Sequence, residues 1–141
     1  MKIEMQGTEY PNLTEEQISD VEKKIGVSFP LEYKNFLLDQ NGGYPKVCEF
    51  DLPDGSNSSI VNHFYSIGEM PSNLYKRNRF LEDDADFMTI GDDSAGNQIL
   101  LRVKGENIGK LYFLDHDVDA EEENSMHFLA EDLNEILKML K

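Results

Sequence analysis

The chain has 141 residues, the length of one domain built around one hydrophobic core, and a single domain over 1–141 is expected. Its 28 acidic residues against 13 basic ones give a formal charge of −15, which argues against nucleic acid and anionic membranes, since both are gripped by clustered Lys and Arg. The longest apolar runs, Ile99-Leu100-Leu101 and Leu111-Tyr112-Phe113-Leu114, fall far short of the roughly 20 residues that cross a bilayer.

In chain order, Met1-Lys2-Ile3-Glu4-Met5-Gln6 shows neither an apolar signal core nor a cleavage site, and Cys48 is the single cysteine, so no internal disulfide can form. The expected compartment is the cytoplasm. Thr14-Glu15-Glu16-Gln17 is a capping box, Leu13 and Ile18 occupy the staple positions, and Ile18, Val21 and Ile25 share a face ahead of Gly26; a helix over 14–25 follows. Pro30 suits a first helical position, Tyr33, Phe36, Leu37 and Gln40 line the next helix, and Asn41-Gly42-Gly43 ends it. From 47 onward short apolar segments alternate with Gly, Pro, Asn and Asp, predicting strands over 47–52, 60–66, 87–90, 98–103 and 110–114, with a short helix over 74–81. Gly105-Glu106-Asn107-Ile108-Gly109 makes the last two of these antiparallel neighbours. Leu129, Leu133, Ile136, Leu137 and Leu140 repeat at helical spacing and predict a closing helix over 131–140. The fold class is therefore α+β: a mostly antiparallel sheet flanked by N-terminal and C-terminal helices.

Two stretches carry a family likeness. One is Ile18-x-x-Val21-Glu22-x-x-Ile25-Gly26 followed by Phe29-Pro30-x-x-Tyr33-Lys34-x-Phe36-Leu37-Leu38 and Asn41-Gly42-Gly43. The other is Ile90-Gly91-Asp92-Asp93-Ser94-Ala95-Gly96-Asn97-Gln98-Ile99 with Gly109-Lys110-Leu111-Tyr112-Phe113-Leu114-Asp115-His116-Asp117, closed by Leu129-Ala130-Glu131-Asp132-Leu133-Asn134-Glu135-Ile136-Leu137. Together they resemble the SUKH superfamily, which includes yeast cell-wall-assembly regulators and many bacterial immunity proteins. The resemblance spans about 13–140, with nothing matched residue by residue over 48–86. It implies a curved sheet flanked by helices and, in bacteria, a cytoplasmic protein that neutralises a cognate polymorphic toxin. It implies no catalytic residue.

Catalytic and metal chemistry find little support in the residues themselves. Asp115-His116-Asp117-Val118-Asp119 opens like an EF-hand loop, but the sixth position is Ala120 where Gly is needed and the twelfth is Met126 where a bidentate Glu is needed. Asp92-Asp93-Ser94-Ala95-Gly96-Asn97 reaches Val103 at its twelfth position. His63, His116 and His127 lack zinc-ligand spacing, and nothing in the sequence positions Cys48 or a serine against a histidine. No nucleophile elbow and no phosphate-cradling glycine loop is present, so no catalytic residue, metal or cofactor is expected. The basic cluster Lys76-Arg77-Asn78-Arg79 is expected to pair with the acids that follow it.

The acidic runs point to a protein partner. Glu82, Asp83, Asp84 and Asp86 precede one predicted strand, and Asp115, Asp117, Asp119, Glu121, Glu122 and Glu123 leave another; unpaired carboxylates cannot pack in a core, so these stand on the surface. With Asp92 and Asp93 they form the expected partner-binding set. Nuclease and deaminase toxins carry basic clefts to which such a set is complementary, and tight binding needs apolar anchors besides, for which Phe64, Tyr65, Tyr75 and Tyr44 are candidates. The expected function is an immunity protein that occludes a basic toxin; a regulatory or scaffold binding module and a small enzyme are the alternatives. Because both loops fail at their twelfth position, millimolar calcium is predicted to leave the melting temperature unchanged. Occupancy at 100 times Kd would stabilise the fold by about 2.7 kcal/mol, so a rise of several degrees in a thermal melt overturns that reading.

Overall fold

The computed structural model describes residues 2–7, 9–116 and 125–141. Helix α1 (Glu15–Ile25) begins on the capping box: the Gln17 amide donates to Thr14 Oγ1 (3.2 Å) and the Thr14 amide to Gln17 Oε1 (2.8 Å). Gly26, at φ 88°, ends it in the left-handed region. Helix α2 (Leu31–Asp39) buries Tyr33, Phe36 and Leu37, with Pro30 at its cap, one residue before the predicted position.

A small antiparallel pair joins β1 (Met5–Gln6) to β2 (Tyr44–Pro45), and a second joins β3 (Glu49–Asp51) to β4 (Ser58–Ile60). The main sheet has five antiparallel strands in sequential order: β5 (His63–Phe64), β6 (Phe87–Asp92), β7 (Gln98–Arg102), β8 (Leu111–Leu114) and β9 (Met126–Ala130). Helix α3 (Leu74–Asn78) packs beside β6, and α4 (Leu133–Met139), capped by the Asp132 carboxylate, packs on β9, β3 and α2.

Alternation along the strands sorts side chains onto two faces. Met88, Ile90, Ile99, Leu101, Leu111 and Phe113 are buried and join Ile18, Phe36, Leu37, Leu133 and Ile136 of the helices in one core. Two bulges keep that sorting intact. In β6 the register passes from Thr89↔Leu100 to Gly91↔Ile99, so Ile90 and Gly91 both oppose Ile99, and Asp92 turns outward. In β9 the step from Tyr112↔Phe128 to Leu111↔Ala130 sends both Leu129 and Ala130 inward.

Several expectations are corrected. The predicted strand over 60–66 is two strands with different partners, because the Val61 amide still bonds Cys48 O while the Asn62 amide already bonds Asp92 O. Strand β9 occupies ground assigned to loop, and Leu129, read as the start of the helical stripe, is a strand residue; the closing helix begins at Leu133. The pair β1 and β2 was not foreseen.

Where strands run out, carboxamide side chains replace them. Gln40 bonds both the N–H and the C=O of Ile3, Asn41 does the same for Ile67 (2.8 Å each), and Asn78 for Thr89 (2.9 Å each). All three side chains belong to buried residues. Replacing Asn78 by Ala leaves the Thr89 N–H and C=O without that partner beside β5's end, and is predicted to cost about 2–4 kcal/mol. A urea-unfolding midpoint that barely moves overturns this.

Candidate functional site

The described helices pack their apolar side chains on one face of the five-stranded sheet. Register places His63, Asp92, Gln98, Leu114 and Met126 across the opposite face in one row, and Thr89, Leu100, Tyr112 and Phe128 in the next. Phe87 and Arg102 stand side by side beyond them. The aromatic rings touch edge to face, Phe87 to Tyr112 with centroids 5.3 Å apart and Tyr112 to Phe128 at 6.0 Å. Arg102 lies over Phe87 at 5.1 Å and Lys110 over Phe128 at 5.8 Å. Both cations are also paired, Arg102 with Asp86 (3.9 Å) and Lys110 with Glu131 (3.5 Å). Leu100, Leu114 and Met126 are half-buried, and Phe128 is exposed.

The β5 end of this face is polar. The Tyr44 ring lies flat on His63, centroids 4.1 Å and planes 1° apart, and the His63 ring meets Tyr65 edge-on. Tyr65 OH lies within hydrogen-bonding distance of Asp92 Oδ2 (3.2 Å) and Gln98 Oε1 (3.0 Å), while Arg77 covers the ring at 5.0 Å. Burial, with Asp92 nearby, pushes the Tyr65 phenol up to about 12. Burial holds the His63 imidazole below its ordinary value, the Asp92 carboxylate opposing and Arg77 reinforcing, and its buried Nε2 has no hydrogen-bond partner.

The acidic residues singled out from sequence occupy both ends of the sheet. Glu82, Asp83, Asp84 and Asp86 are exposed in the turn leading into Phe87. Asp92 and the half-buried Asp115 lie at the other end, where the Asp115 amide bonds Ser125 O. Asp117, Asp119, Glu121, Glu122 and Glu123 fall outside the described residues, as does most of the loop compared above with an EF-hand. Asp93 is different: it is 5% exposed, and its carboxylate accepts from the Ala95 and Asn97 amides (2.9 Å each), Asn97 Nδ2 (2.7 Å) and Ser59 Oγ (2.9 Å). It shapes the β6–β7 turn. Among the described residues no group of three or more His, Cys, Asp or Glu is placed to hold a metal ion, and no helix is long and apolar enough to cross a membrane.

Two other expectations are corrected. Phe64 and Tyr65 are fully buried, so neither is a free anchor; Tyr44 and Tyr75 are exposed, the latter beneath Lys24. The basic cluster does not pair with the acids after it: Arg77 stacks on Tyr65 and reaches Ser72, Arg79 stacks on Phe80, and Asn78 is the β6 clamp. The outward aromatics Phe87, Tyr112 and Phe128 escaped notice because sequence does not say which strand face the helices cover.

The SMI1 / KNR4 family (SUKH-1) model matches residues 12–139. The chain belongs to that family. A similar curated protein, the SPbeta prophage-derived uncharacterized protein YokK of Bacillus subtilis (strain 168), is 25% identical over 129 residues, covering 77% of this chain and 66% of that protein. The chain thus spans just under two thirds of that relative's length. The uncharacterized protein YnaB of the same organism is 59% identical over 27 residues, 19% of each chain. The family's α+β fold is the one found here.

Asp93 yields a pH-dependent prediction. Burial pushes its carboxyl up, but the hydrogen bonds from Asn97, Ser59 and the turn amides outweigh that and hold it below the usual carboxylate range. A depressed folded-state pKa contributes stability that is present above the unfolded value, about 3.9, and is lost as pH falls through the folded one. Asp93→Asn is expected to lower the melting temperature at pH 7 by about 5–10 °C, from roughly 2 kcal/mol of lost charge-assisted bonding, with the gap closing below about pH 4. An equal gap at pH 3 and pH 7 overturns this.

Proposed function

We propose that this SUKH-1 chain is an immunity protein that binds a cognate polymorphic toxin, a basic nuclease or deaminase domain, and neutralises it by occlusion in the cytoplasm. The observation that carries this reading is family membership over 12–139, joined to exposed carboxylates at Glu82, Asp83 and Asp84 that make no ion pair among the described residues. One relative, a prophage-derived protein by name, fits a gene that travels with a toxin system. Surface carboxylates of this kind raise the encounter rate with a cationic protein and contribute less to holding it. Asp117, Asp119, Glu121, Glu122 and Glu123 add to the same field by their charge. The chain acts here as a binder with no turnover of its own.

The test is co-expression with the adjoining open reading frame, which should rescue growth, followed by binding kinetics. Converting Glu82, Asp83 and Asp84 to Gln or Asn should lower the association rate about tenfold at low salt and leave dissociation nearly unchanged. The effect should vanish toward 1 M salt, where the Debye length has dropped from about 10 Å at 0.1 M to about 3 Å. An unchanged association rate at low salt overturns the steering role.

A further inference from the structure

A strand that reads as a continuous apolar run presents apolar side chains to both faces of its sheet. Here Ile99-Leu100-Leu101 and Leu111-Tyr112-Phe113-Leu114 are such runs, yet the helices pack on the face of Ile99, Leu101, Leu111 and Phe113. The alternate residues form a second apolar surface that no described helix covers. Its composition, two Phe, one Tyr, two Leu and one Met, is that of the buried centre of a protein interface, where aromatics and Met are enriched.

Charge decides between occupants. The two cations beside the rings are paired within the chain with Asp86 and Glu131, whereas Glu82, Asp83 and Asp84 at one end form no ion pair among the described residues; at the other end Asp92 lies near Arg77. The unbalanced charge beside this face is therefore the acidic 82–84 turn. A second copy of a chain with charge −15 would bring like charges together, whereas a basic surface would meet opposite charge at that turn and an apolar row of rings beside it. We infer that the open face of the five-stranded sheet is the docking surface for a basic protein partner, with Phe87, Tyr112 and Phe128 as its anchors. The identity of that partner as a toxin rests on the function proposed above; the location of the surface does not.

Two arms test it. In the first, a triarginine peptide is titrated into the labelled protein and followed by NMR. Ring resonances of Tyr112 and Phe128 should move and saturate, and the response should be lost in Phe128→Ser; shifts confined to the 82–86 turn or to the helices overturn the inference. Phe128 is exposed, and a thermal melt confirms that the variant is folded. In the second arm, the product of the adjoining reading frame is bound to wild type, Phe128→Ser, Tyr112→Ser and, as control, Tyr75→Ser. Dissociation should quicken at least tenfold in the first two variants only. Binding that is indifferent to all three overturns the docking face and leaves the immunity reading standing. No binding by wild type sinks the immunity reading, and the peptide arm then decides the face alone. A dimer in sedimentation that Phe128→Ser dissolves makes the occupant a second copy and overturns the basic partner.

Discussion

Neutral side-chain amides hold this molecule together where its regular structure stops. Gln40, Asn41 and Asn78 each bond both backbone groups of a distant residue, as a neighbouring strand would, and so attach the N-terminal segment to the end of α2, the chain before α3 to the same helix end, and α3 to β6. A chain of charge −15 gains from this choice. Ion pairs such as Lys46–Glu4 and Lys141–Asp51 are exposed and therefore weak and salt-sensitive, whereas amide pairs in buried positions keep their strength at any salt and over a wide pH range.

With the irregular segments fixed, the sheet can serve two purposes at once. One face supplies the core, and the other carries the ring row, with carboxylates at both ends. In the docking proposed above those two chemistries divide the work of association: charges acting over a Debye length set how often a partner arrives, and desolvated rings set how long it stays. The polar corner formed by Tyr44, His63, Tyr65 and Asp92 is held by stacking and hydrogen bonds among its own side chains.

How much of this could be read from the residues depended on whether the signal was local. The capping box at Thr14 and the apolar runs of β7 and β8 are local, and those elements lie where expected. Strand β9 was hidden because Leu129 falls in phase with Leu133 and Leu137, and only pairing with β8 reveals it as extended. The hand-over at Val61 and Asn62 is likewise tertiary: no Gly or Pro marks it, and it exists because two different strands accept consecutive amides. At the site, the acidity of the loops was legible, but the separation of Asp93 from Asp92 was not, since it rests on the turn that folds around one carboxylate and not the other.

The bulge at Ile90 has a consequence for how such a chain can change over generations. By absorbing one extra residue it sets the phase of everything after it, so that Asp92 looks outward while Ile90 looks inward. Substitutions at the outward positions of β6, β7 and β8 leave that phase untouched, whereas gaining or losing one residue there would exchange the two faces wholesale. Descendants of this gene are thus free to re-letter the open face and almost barred from re-spacing it, so that its chemistry can drift while its geometry stays fixed.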